Sequence, residues 1–171
     1  MGWGASKGPP IVGAVLLAAA AHAAEPSPFI PWTQAETPRL ALKDTAGRPH
    51  TLADYRGRVV LVNFWATWCE PCRDEMASMR VLRQRLAGRP FEIVTVNYGE
   101  SEAKVTAFFK SADLDFPALL DPNQEAPRAW RVRVLPASFL VGRDGRVRYS
   151  VIGEIDWAAE EAIRTVRTLL P

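Results

Sequence analysis

Cysteine and histidine are scarce: 171 residues hold two of each, Cys69, Cys72, His22 and His50. A structural zinc site takes four such ligands, and with His22 in the leader described below the chain falls short of a set. Covalent haem attachment needs a histidine directly after the second cysteine, and Arg73 stands there. Charge of one sign is also missing. The 21 basic and 19 acidic residues are interleaved and leave a formal net charge of +2, an ordinary solvated exterior with no mandate to bind nucleic acid. No apolar run reaches the roughly 20 residues that cross a bilayer. No internal repeat or low-complexity tract occurs beyond the alanine-rich start.

That start has a pattern of its own. Lys7 precedes the apolar run Ile11–Ala21, and Ala21-His22-Ala23 follows. A basic n-region, an h-region of about 7–15 residues and an A-x-A site describe a secretory signal. Residues 1–23 are therefore expected to be a signal peptide cleaved near Ala23, with an uncleaved membrane anchor as the alternative. No cysteine lies near the cleavage site to take a lipid. Residues 24–39, with Pro26, Pro28, Pro31 and Pro38, predict an extended lead-in. Residues 40–171 are one domain's worth of chain.

Within that domain, Leu40–Lys43 and Pro49–Leu52 around Thr45-Ala46-Gly47 predict a short hairpin. Arg58–Ala66 is an almost continuous β-branched and aromatic run, the mark of a strand buried on both faces. A helix from Pro71 sets Met76, Met79, Leu82 and Leu86 on one side and ends near Gly88. Phe91–Asn97 predicts a second buried strand. Val105, Phe108, Phe109 and Ala112 repeat at helical spacing. Phe116–Leu120 reads as a weaker strand and Asn123–Trp130 as a short helix. Ser138–Val141 and Arg146–Ile152 flank a tight turn at Arg143-Asp144-Gly145. The last helix is expected to start after Asp156 as its N-cap, with Ala159, Ala162, Ile163, Val166, Leu169 and Leu170 facing the core. This order predicts an α/β sandwich: a mixed central sheet, helices on both faces and an N-terminal β-hairpin. Right-handed crossovers then place the Cys69 loop at the C-terminal end of a central strand.

The two cysteines are three positions apart in Trp68-Cys69-Glu70-Pro71-Cys72. As a staple such a bridge is weak, since closing about four residues is worth roughly 2 kcal/mol before strain. A reversible redox pair is the reading that the spacing favours. Cys69 just precedes a helix, whose free N–H groups and partial positive charge favour a thiolate. Pro71 suits N1, where an N–H would be unpaired anyway. Cys69 is the candidate nucleophile, and Cys72, one turn further in, the resolving thiol. Glu75 follows on nearly the same helix face. It is either a partly buried carboxyl of raised pKa that takes the Cys72 proton, or a solvent-facing glutamate favoured by the dipole. Glu70 is expected at the surface, its charge mildly opposing a Cys69 thiolate. Trp65 is expected in the core and Trp68 at the rim. Pro136, just before a strand, is either cis or a trans strand-entry proline.

These residues resemble the thioredoxin superfamily and, within it, the TlpA/ResA-like periplasmic thiol–disulfide oxidoreductases. The resemblance spans nearly all of Leu40–Pro171. Val60-Leu-Val-Asn-Phe-Trp-Ala-Thr-Trp-Cys-Glu-Pro-Cys72 carries most of it, supported by Phe116-Pro-Ala-Leu-Leu-Asp-Pro122 and Leu135-Pro-Ala-Ser-Phe-Leu-Val-Gly-Arg-Asp-Gly145. It implies a thioredoxin-like three-layer sandwich, with Cys69 as nucleophile, Cys72 as resolving thiol and Pro136 as a cis-proline beside them. Glu75 matches the acidic position these reductases carry after the motif. Asn63 stands where cytosolic thioredoxins have a buried Asp, so a proton relay is expected to run through Glu75. Trp68, Glu70, Pro71, Leu135 and Pro136 form the expected client-binding rim. The redox-active Cys69–Cys72 disulfide calls for no further cofactor and no metal. Implied partners are client proteins with cysteine pairs and a membrane thiol electron donor of the CcdA/DsbD type, acting on a periplasmic monomer.

There are departures. Ala77 replaces a helix-kinking proline, which implies a straighter helix. Arg131 and Val134 stand where many relatives have glycine, and Ala137-Ser138 replaces a common Thr-Thr, all near the loop that helps choose partners. The Gly-x-Pro-Glu type of loop of dedicated cytochrome c maturation thioredoxins is absent. The expected activity is reduction of client disulfides, of the cytochrome c or copper-site maturation type. A thiol oxidase or isomerase, and a non-enzymatic copper-binding thiol chaperone, are the alternatives. A peroxidase of the related peroxiredoxin type uses Pro-x-x-x-Thr-x-x-Cys, and here Val62 and Ala66 occupy those two positions.

Overall fold

A computed structural model describes residues 1, 2, 4 and 26–171. The apolar run of the expected signal peptide and its cleavage site near Ala23 lie outside the described residues. No helix among the described residues is long and apolar enough to cross a membrane.

The centre of the molecule is β4 (Val59–Trp65), whose seven residues are all buried. Side chains alternate across a strand, so its apolar run faces two cores at once. Val59, Leu61 and Trp65 join one cluster with Met76, Met79 and Leu82 of α1 (Glu70–Arg85). Val105 and Phe109 of α2 (Glu102–Ser111) and Ile163 and Val166 of α4 (Glu160–Leu169) complete that face. Val60, Val62 and Phe64 point the other way, toward Ala126 of α3 (Glu125–Ala129) and the buried Trp130. Helices therefore cover both faces of the sheet.

β4 runs parallel to β5 (Phe91–Tyr98), and β5 parallel to β6 (Ala118–Asp121). On its other side β4 pairs antiparallel with β7 (Ala137–Val141), in a register that sets Asn63 opposite Ser138. β7 pairs with β8 (Val147–Ile152). The hairpin of β2 (Ala41–Asp44) and β3 (Pro49–Thr51) extends the far edge beyond β6. The mixed eight-stranded order is β1-β8-β7-β4-β5-β6-β2-β3, the α/β sandwich that the element order predicts and the thioredoxin-like architecture that the resemblance implies.

Three local expectations are corrected. The lead-in before Leu40 is not merely extended chain. Ile30–Pro31 forms β1, an edge strand on β8, and Phe29 is buried between Tyr149 and Trp157, with ring centroids 6.2 and 5.8 Å away. The last helix starts later than expected, with Ala159 rather than Asp156 at its N-cap. Asp156 instead accepts the Ala158 N–H on Oδ1 at 2.8 Å, closing a turn that drops Trp157 fully into the core. β6 begins at Ala118 because Pro117 has no N–H to give a ladder; its carbonyl accepts from Thr95 N instead, at 2.9 Å.

Candidate active site

β4 ends at Trp65, and four residues later the chain enters α1. Cys69 N donates to Ala66 O at 3.2 Å, closing the turn between them. Cys69 is the N-cap in extended conformation, which puts Glu70 at N1 and Pro71 at N2. Pro71 was expected one position earlier, but the N2 amide also lacks an intrahelical acceptor, so the ring is accommodated equally well. Cys69 and Cys72 are joined in a disulfide. Cys69 is 6% exposed and Cys72 1%, so the outer sulfur belongs to the residue at the helix mouth.

A groove of about 460 Å³ opens beside Cys69. Trp68, Glu70, Pro71 and Leu135, all expected at the rim, line it together with Tyr98, Arg133 and Val134. Trp68 is 62% exposed and Val134 51%, which sets apolar surface beside the cysteine pair. The Leu135–Pro136 bond is cis. Pro136 is buried behind the groove rather than lining it, and its carbonyl accepts from Gly153 N at 2.9 Å. Trp65 is fully buried against Phe108 and Phe109.

Glu75 also stays out of the groove. It is buried to 1% exposure and its carboxylate accepts from Trp157 Nε1 at 2.8 Å, Asn63 Nδ2 at 3.0 Å and Ile155 N at 3.4 Å. Loss of water raises its pKa to about 7, although these three donors pull the other way; Glu154 adds further repulsion. Glu75 is thus buried rather than solvent-facing.

The support of the Cys69 loop leaves no signature in the sequence. Thr67 N and Thr67 Oγ1 both donate to the Glu100 carboxylate, each at 2.6 Å. Asn97 Nδ2 and Lys104 Nζ bind the same carboxylate at 2.9 and 2.6 Å. Burial would raise the Glu100 pKa, but the hydrogen bonds from Asn97, Lys104 and Thr67 outweigh it and bring it down to about 2. Glu100 therefore anchors the loop as an anion. No motif marks it, because its partners come from the loop after β4, from the end of β5 and from α2.

Comparison with known proteins agrees with this geometry. The AhpC/TSA family model matches residues 33–150. The chain is 39% identical over 118 residues to the thiol-disulfide oxidoreductase ResA of Bacillus subtilis (strain 168), covering 69% of this chain and 66% of that one. ResA of Geobacillus kaustophilus is 35% identical over 134 residues, 78% of this chain and 76% of the relative. A solved Chlorobium tepidum structure, named for the thiol:disulfide interchange protein DsbE, is 30% identical with a TM-score of 0.69; the match covers 75% of this chain and 93% of that one. Fold, cysteine pair and sequence agree, and the chain belongs to the AhpC/TSA family, among its ResA-type thiol-disulfide oxidoreductases.

Proposed function

We propose that this chain reduces disulfides of client proteins in the periplasm by dithiol exchange through Cys69 and Cys72. The observation that carries the reading is the pair's placement: Cys69 opens on an apolar groove at a helix N-terminus, while Cys72 lies buried behind it. In the reduced enzyme, the Cys69 thiolate attacks one sulfur of a client disulfide. A mixed disulfide forms, and the client's other sulfur leaves as a thiolate. Cys72 then gives its proton to Glu75 and attacks Cys69 Sγ, closing the Cys69–Cys72 disulfide and releasing the client's second thiolate. The client gains two electrons. A membrane thiol donor of the CcdA/DsbD type returns two electrons to the oxidised pair.

Each residue has a part in this scheme. Glu75, with its pKa raised by burial to about 7, is matched to accept a proton near neutrality. Trp68, Glu70, Pro71 and Leu135 meet the client, and Pro136 shapes the wall behind them. The Glu70 charge beside Cys69 opposes the thiolate, which favours a reductant over an oxidant of the DsbA kind. The disulfide is its own redox group, so the scheme uses no other cofactor, and one chain suffices for it. The periplasmic setting rests on the leader pattern, and apocytochromes or copper-site assembly proteins are the client classes proposed.

A Cys72→Ala variant in the native host tests the exchange, because it should accumulate mixed disulfides through Cys69 that identify client and donor. The potential of the wild-type pair, equilibrated against glutathione, should lie well below the roughly −120 mV of DsbA. No adducts from a Cys69 that still alkylates would sink the exchange mechanism. A potential near that of DsbA would point to an oxidase. Tight 1:1 copper binding without insulin reduction would point to a metal chaperone.

A further inference from the structure

Only hydrogen-bond donors meet the Glu75 carboxylate among the described residues. Oε1 accepts from the Trp157 indole N–H at 2.8 Å and the Ile155 amide at 3.4 Å. Neither group can turn round and accept. Oε2 accepts from Asn63 Nδ2 at 3.0 Å, and the same nitrogen donates to Ser138 Oγ at 2.9 Å. Asn63, Ser138 and Trp157 are all buried. Asn63 Oδ1, the other half of the same amide, is buried with no partner among the described residues. The arrangement suits a carboxylate and offers no acceptor to a carboxylic acid.

A group that takes up a proton acquires an O–H, and a buried O–H without an acceptor is costly. With Oε1 held by two fixed donors, that proton belongs on Oε2. Asn63 faces Oε2 with a side chain that carries donor and acceptor on one rotor. A half-turn about its terminal torsion exchanges Nδ2 for Oδ1, and the Ser138 hydroxyl can donate as readily as it accepts. The backbones do not need to move, because Asn63 and Ser138 are register partners on β4 and β7. The other groups around Glu75 leave the task to this rotor. Glu154, in the segment carrying Ile155 and Trp157, adds repulsion. α1 contributes Cys72, which is oxidised here, and β4 and β7 contribute neutral side chains.

We propose that Asn63 is the positioning residue for the Glu75 proton: its amide turns end for end as Glu75 gains or loses the proton, so that a donor meets the carboxylate and an acceptor meets the acid. Both protonation states then keep a hydrogen bond at Oε2, while the turned amide carries its N–H groups to the place that the unpartnered Oδ1 holds in the carboxylate form. The consequence for exchange rests on the proposed role of Glu75, whereas the coupling itself is a property of the oxidised protein.

NMR of the oxidised full-length protein tests it. The Glu75 carboxyl carbon should titrate with pH. NOEs from the Asn63 Nδ2 protons to the Ser138 β-protons should be present above that midpoint and lost below it. Asn63→Leu removes both donor and acceptor at similar size. A hydrogen bond to a charged group is worth about twice a neutral one, so the variant should bind the Glu75 proton about tenfold more tightly. NOEs that persist unchanged through the Glu75 titration would overturn the proposal, and so would an unchanged midpoint in a folded Asn63→Leu protein. Should that variant fail to fold, the wild-type NOEs decide alone. Exchange kinetics of Glu75→Gln are read separately: unchanged rates would remove Glu75 as the proton acceptor and leave the amide result standing.

Discussion

Burial beside Trp157 takes the Glu75 carboxyl out of water and raises its pKa from 4.5 to about 7. Between those values the native state holds a proton that the unfolded chain has released. The resulting stabilisation is complete below the unfolded pKa, declines as pH rises through the folded one, and is gone above it. Its size is on the order of 3 kcal/mol. The urea midpoint of the wild-type protein should therefore fall between about pH 5 and about pH 8 relative to Glu75→Gln, whose amide does not titrate. Denaturation curves that stay parallel across that range would contradict the raised pKa. The spacing of Glu75 from Cys72 is legible in sequence. Its environment is not, because Ile155 and Trp157 arrive from 80 and 82 positions away.

α1 runs without interruption for 16 residues from Glu70 to Arg85, with Ala77 exposed on its outer side. In a continuous helix the Ala77 N–H bonds the carbonyl four residues back. Ala77→Pro removes that bond and sets its ring against the carbonyl, at a cost of about 3 kcal/mol. Urea unfolding should show that loss; a loss well under about 1 kcal/mol would mean that the helix kinks at no strain. The apolar face of α1 follows from its 3.6-residue period, and Met76, Met79 and Leu82 are buried as that period requires. Its first turn is harder to read by one position, because Cys69 rather than Glu70 serves as cap. The start of α4 is displaced for a similar reason: Trp157 must enter the core before the helix can begin.

One edge of the sheet is built by residues ahead of the hairpin. Phe29 packs on Trp157 and Tyr149, and Trp32 meets Phe139 edge-on at 5.6 Å. A chain begun at Leu40 loses these contacts together with β1. It should be less stable than one begun at Pro26 by at least about 3 kcal/mol, the usual cost of emptying a phenylalanine site. Equal urea midpoints for the two chains would show that β1 and Phe29 are dispensable. Composition hides this segment, since its prolines favour extended chain and a two-residue edge strand leaves no periodic signal.

Patterns of short range were enough for much of the protein. The buried run of β4, the helical spacing of α1 and the Cys-x-x-Cys interval name the fold class and the reactive pair, because each depends on neighbours within a few residues. The partners of Glu75, the hold of Glu100 on Thr67, the groove between Trp68 and Leu135 and the docking of Phe29 came only with the assembled sheet. They depend on register between segments far apart in the chain, and periodicity tells which face a side chain takes but not what it will meet there.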